Sequence, residues 1–135
     1  MVSIDTLTSC GSQDQTENMG QPIPDWWCKA VVRALETYDR HFIDWTAPAF
    51  QRWHTDTFGA LRADAYTALI ATLSIPGTLG IETTSYPGQR ATYEFFFRYS
   101  PPDGQPRDMY GKIALLNDSV RILILSAHNP KRSTL

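Results

Sequence analysis

Tyr110, Lys112, Ser126 and His128 recur at spacings of two within a pair of β-forming runs separated by Asn117-Asp118-Ser119. Paired as a hairpin, those runs bring a proton-transfer group, a cation and hydroxyls to one edge of a sheet. That combination of groups can cleave a phosphodiester. An imidazole, with an ordinary pKa of about 6.5, takes and returns protons at neutral pH. His128 is therefore suited to deprotonating a ribose 2′-hydroxyl or protonating the leaving 5′ oxygen. Lys112, Arg98 and Arg107 are cations for holding the scissile phosphate and countering charge on its non-bridging oxygens. Tyr110 can hydrogen-bond the phosphate or stack on an unpaired base, Tyr99 offers a second stacking platform, and Ser126 is a hydroxyl donor. Lys131, in the basic Lys131-Arg132 tail, adds a further phosphate contact.

Whether these groups meet depends on the hairpin register. A three-residue loop at Asn117-Asp118-Ser119 places Tyr110 opposite Ser126 and Asp108 opposite His128. Strand alternation then puts Asp108, Tyr110, Lys112, Ser126 and His128 on one face, at the end far from the turn. A register displaced by one residue would turn Tyr110 away from His128 and scatter the cluster.

Other residue types with chemical potential read as structural. His54 sits beside Trp53 on an aromatic helical stripe, His41 falls in a loop, and Arg121 reads as a charge on a solvated sheet face. The chain has no His/Cys cluster with zinc spacing, no glycine-rich phosphate loop and no Gly-x-Ser-x-Gly elbow. Those absences favour a site that works without metal or cofactor, or no site at all.

The elements that must carry this hairpin fit in one domain, since 135 residues suffice to bury a core without staples. Residues 1–22, polar and poor in large apolar side chains, bury too little to offset their ordering entropy and read as a flexible arm. Residues 23–135 form the domain. Cys10 in the arm and Cys28 in a helix read as free thiols. No apolar run approaches the roughly 20 residues of a membrane span, and no secretory leader is evident, so a cytoplasmic location is expected. Net charge is −2, but residues 1–88 hold five Lys+Arg against ten Asp+Glu, whereas residues 89–135 hold seven against four. The basic half coincides with the predicted sheet, which is where a nucleic acid would dock.

Pro24-Asp25 begins a helix whose buried stripe is Trp27, Val31, Leu35 and Tyr38. Thr46 is an N-cap with Pro48 in the first turn. From there Phe50, Trp53, His54, Phe58, Leu61, Ala65, Leu69 and Leu73 keep helical spacing, with a bend near Gly59, and Ile75-Pro76-Gly77 ends the run. The period then changes to two. Leu79–Ser85 reads as an edge strand and Thr92–Tyr99 as an aromatic strand, with Tyr93, Phe95, Phe97 and Tyr99 on one side and Glu94, Phe96 and Arg98 on the other. Asp108–Leu116 and Val120–Ala127 complete the hairpin. The expected architecture is α+β, with N-terminal helices packed on a four-stranded antiparallel meander.

The order of helices, then a sheet ending in Tyr-x-Lys-Ile, a turn, and an apolar strand closing on Ser-x-basic resembles the RelE/ParE superfamily of bacterial toxins, and within it the MqsR messenger-RNA interferases. The resemblance, carried by residues 109–132, implies a barnase-like layout and an endoribonuclease activity. It places Tyr110 and His128 in the active site, with Arg98 where related toxins carry central-strand arginines. It also implies an RNA substrate and an antitoxin or immunity protein as partner, for a toxin acting in its own cytoplasm or delivered into a competing cell. A different class, a non-catalytic binding module of cystatin-like or nuclear-transport-factor-like shape, would instead use Tyr93, Phe95, Phe97, Trp53 and Phe58 to line a cavity or dimer face, leaving His128 incidental.

Overall fold

A computed structural model describes residues 20–131. Its elements in chain order are β1 (Gln21–Pro22), α1 (Asp25–Leu35), β2 (Ile43–Trp45), α2 (Ala47–Asp56), α3 (Arg62–Leu73), β3 (Leu79–Thr83), β4 (Gln89–Tyr99), β5 (Arg107–Leu116) and β6 (Ile122–His128). Among the described residues the fold is α+β: three helices and a six-stranded mixed sheet in the order β1-β3-β4-β5-β6-β2. The expected four antiparallel strands form its centre. Two strands absent from the sequence reading close its edges. β2 pairs parallel to β6, with Ile43 opposite Ile122 and Trp45 opposite Ile124, and β1 pairs antiparallel to β3. β1 falls within the stretch assigned to the arm; residues 1–19 and 132–135, including Cys10 and Arg132, lie outside the described residues. β1 can approach β3 closely because both backbones lack a Cβ at the contact: one built on Gly20 would meet the Gly80 carbonyl oxygen.

Local chemistry sets the helix ends. The Thr46 hydroxyl accepts the Ala49 N–H, and Pro48 occupies the first turn, where a missing N–H costs nothing. The long helical pattern is a break, not a bend. After Asp56 the chain turns through Phe58 at φ +57° and Gly59 at φ +94°. Phe58 N–H bonds to the Thr55 carbonyl and Gly59 N–H to the His54 carbonyl, the paired bonds of a Schellman ending. The Asp64 carboxylate then accepts the Leu61 N–H and starts α3.

The core lies between the helices and one sheet face. Trp27, Val31 and Leu35 are fully buried as expected, but Tyr38, past the end of α1, is half exposed and bonds Thr67. Trp27 Nε1 donates to the Ala91 carbonyl while its ring meets Tyr93 edge-on at 5.0 Å. Trp53 donates to the Leu61 carbonyl and packs on Phe97 and Tyr99. Each indole thus fills volume while its own N–H finds a backbone carbonyl acceptor. Tyr93, Phe95, Phe97 and Trp53, which the binding-module alternative would use to line a cavity or dimer face, are core residues, and Phe58 is 93% exposed. Trp53→Ala should lower unfolding free energy by about 3–5 kcal/mol in urea titration; a loss under about 1 kcal/mol would contradict the packing described.

Candidate functional site

The β5–β6 ladder positions the site, and two irregularities decide its geometry. The turn is a four-residue loop, not three, because Leu116 N–H bonds to the Arg121 carbonyl. Asp118 builds it: its carboxylate accepts the Val120 and Arg121 N–H groups and the Arg121 guanidinium at 2.6 Å, which holds its pKa at about 2. This loop displaces the register by one, pairing Leu115 with Ile122 and Ile113 with Ile124. Continued unchanged, it would turn His128 away from Tyr110. The ladder then slips a second time, since Ile113 faces Ile124 but Lys112 faces Ser126, leaving Leu125 as an extra residue. A β-bulge of this kind restores the parity. Burial records it: Ile122, Ile124 and Ala127 are buried, while Leu125 and Ser126 are both intermediate.

Tyr110 therefore lies opposite His128, and Lys112 opposite Ser126. The expected partners, Ser126 for Tyr110 and Asp108 for His128, are corrected by two residues. Because a shift of two conserves side-chain direction, the expected shared face survives. The Tyr110 and His128 rings lie 5.1 Å apart, tilted by 37°. Lys112, two residues from Tyr110, occupies the same face. Asp108 faces Arg98 and pairs with it at 3.2 Å, both well exposed.

β4 contributes a residue that the hairpin alone did not reveal. Glu94 is opposite Lys112, and the Tyr110 hydroxyl donates to its Oε2 at 2.6 Å. The signal lay in the strand alternation, which already put Glu94 on the Arg98 side; the β4–β5 pairing needed to place it beside Tyr110 was not legible. Phe96, opposite Tyr110, adds an apolar side chain to the same face. Glu94, Phe96, Tyr110, Lys112, Ser126 and His128 are each partly exposed, so the face reaches solvent.

Three assigned residues fall elsewhere. Tyr99 is 5% exposed against Trp53, and burial, with Asp64 nearby, raises its pKa; it offers no stacking platform. Arg107 precedes Met109 by two and so points to the helix side, where its Nη2 donates to the Asp56 carbonyl at 2.6 Å. Lys131 is exposed beyond the end of β6. Asp56 links the two sides, since its carboxylate accepts the Asn129 N–H at 2.9 Å and so holds the residue after His128 against the end of α2.

His128 Nδ1 lies 2.7 Å from the Asn129 carbonyl oxygen. A carbonyl only accepts, so in the neutral ring Nδ1 carries the hydrogen and Nε2 presents its lone pair. Among the described residues, no three His, Cys, Asp or Glu side chains gather so as to hold a metal ion, and no helix is long and apolar enough to cross a membrane. Cys28 is a free thiol whose pKa is raised by burial. No family model, curated protein or solved structure matches the chain. Nitrogen NMR of the neutral protein should find His128 protonated on Nδ1; an Nε2–H tautomer would contradict this geometry.

Proposed function

We propose that the chain is an endoribonuclease of toxin type, cleaving RNA by transfer of the 2′ oxygen onto the adjacent phosphorus. The observation that carries this reading is the cross-strand Tyr110–His128 pair, with Glu94 and Lys112 beside it on one solvent-reaching sheet face. His128 Nε2 takes the proton of the attacking 2′-hydroxyl. The 2′ oxygen bonds to phosphorus, the bond to the 5′ oxygen breaks, and that oxygen leaves with a proton from solvent or from the adjacent Lys112 ammonium. The products are a 2′,3′-cyclic phosphate and a free 5′-hydroxyl. Lys112 counters charge on the non-bridging oxygens. Glu94 fixes the Tyr110 phenol by accepting its hydrogen, and the fixed ring holds the imidazole in place. Arg98, already paired with Asp108, serves as a peripheral phosphate contact, and Ser126 as a hydroxyl donor beside Lys112.

The basic balance of residues 89–135 supports an RNA partner, because phosphate contacts supply most nucleic-acid affinity. A toxin of this type implies an antitoxin or immunity protein seated over the same face, and a cytoplasmic target. Of the residues the binding-module alternative would use, Tyr93, Phe95, Phe97 and Trp53 are packed in the core.

Purified protein incubated with total RNA in EDTA should yield fragments ending in 2′,3′-cyclic phosphate. His128→Ala should slow cleavage by about 10²–10⁴-fold, and induced expression of the wild type, but not the variant, should arrest growth. RNA left intact by both proteins, with no growth arrest, would overturn the proposal.

A further inference from the structure

The turn that ends α2 holds an aromatic residue where stability favours glycine. Phe58 occupies the left-handed position of the Schellman ending at φ +57°, a conformation that L side chains adopt at a cost, and its ring is 93% exposed. It loses on both counts and gains no core contact. Such backbone strain is characteristic of binding surfaces. Phe58 also borders a cavity of about 540 Å³ between this turn and the 101–105 loop, which Asp64, Tyr99 and Arg107 line as well. Arg107 provides a second, independent feature. Its Nη2 is held by the Asp56 carbonyl, while its Nε is buried and has no hydrogen-bond partner among the described residues, so the guanidinium on this cavity wall is under-satisfied.

We infer that this cavity is a nucleobase subsite, in which an unpaired base of the RNA stacks on Phe58 and offers a ring carbonyl or nitrogen to Arg107. The inference rests on the ribonuclease reading for the identity of the ligand. Asp64, whose Oδ2 accepts the Leu61 N–H, disfavours a bare phosphate here and suits the N–H edge of a base. The aromatic face supplies the sequence-tolerant part of the binding. The cavity lies around the sheet end from the candidate site, with Asp56 between: its carbonyl accepts from Arg107, and its carboxylate accepts from the residue after His128. A strand cleaved beside His128 would thus continue over α2's C-terminal end into the subsite.

The test uses the full chain and a 2′-O-methyl oligonucleotide carrying 2-aminopurine, which lacks the attacking hydroxyl and whose fluorescence falls when the base stacks. Wild type should quench it, Phe58→Tyr should bind as wild type does, and Phe58→Gly should bind at least about fivefold more weakly. Phe58→Gly should also melt at a higher temperature, which separates lost binding from lost folding. Absence of quenching by wild type, or equal affinity of Phe58→Gly, would overturn the subsite even if wild type cleaves RNA. Phe58-dependent quenching by a protein that leaves RNA intact would uphold the subsite and overturn the catalytic reading of His128.

Discussion

One extra residue in β6 determines what the exposed sheet face can be. Asp118 closes the β5–β6 turn as a four-residue loop, and that loop alone would send the end of β6 into the wrong phase. The bulge at Leu125 returns it. Before the bulge, Ile122 and Ile124 pack inward; after it, Ala127 packs inward and His128 faces the same side as Tyr110. A regular ladder could satisfy either the aliphatic half of β6 or its polar end, but not both. A bulge locally disrupts pairing and increases twist, and here it allows one strand to serve the core first and the polar face afterwards.

The rest of the molecule holds that strand in place. α2 packs against β6, with its Ala49 and Trp53 buried in the core, and Asp56 at its C-terminal end accepts the Asn129 N–H and supplies the carbonyl for Arg107. β2 pairs with β6 only as far as Ile124, one residue short of the bulge, so among the described residues no neighbouring strand continues along the polar end of β6 on that side. Trp27 and Trp53 brace β4 from below, which fixes Glu94 and Phe96 on the opposite side, next to Tyr110. The polar cluster is therefore held by apolar packing on the reverse of the same strands, which is the general way a sheet keeps a reactive face in order.

The sequence made the α+β class, the capped start of α2, the aromatic alternation of β4 and the common face of Tyr110 and His128 legible, because each follows from local chemistry or from a period of two or 3.6. What it hid depends on distant pairing. Ile43-Asp44-Trp45 is too short to show a period and becomes a strand only by lying along Ile122–Ile124. The bulge leaves no composition signal in Leu-Ile-Leu-Ser-Ala-His, so the expected pairing was off by two while the expected face was right. Tyr99 and Arg107 looked available because their types suit RNA, yet they stand in phase with Phe97 and Met109 and so belong to the helix side. Glu94 stood in the correct phase but could be joined to Tyr110 only once β4 was aligned with β5.

The most direct measurement is a nuclear Overhauser experiment on the aromatic protons of Tyr110 and His128 in the uniformly labelled protein. The bulged register predicts a strong cross-strand contact between these two rings, together with contacts linking Lys112 to Ser126. Contacts from His128 to Met109 or Trp53, or from Tyr110 to Ala127, would place the imidazole on the other side of the sheet and contradict the account.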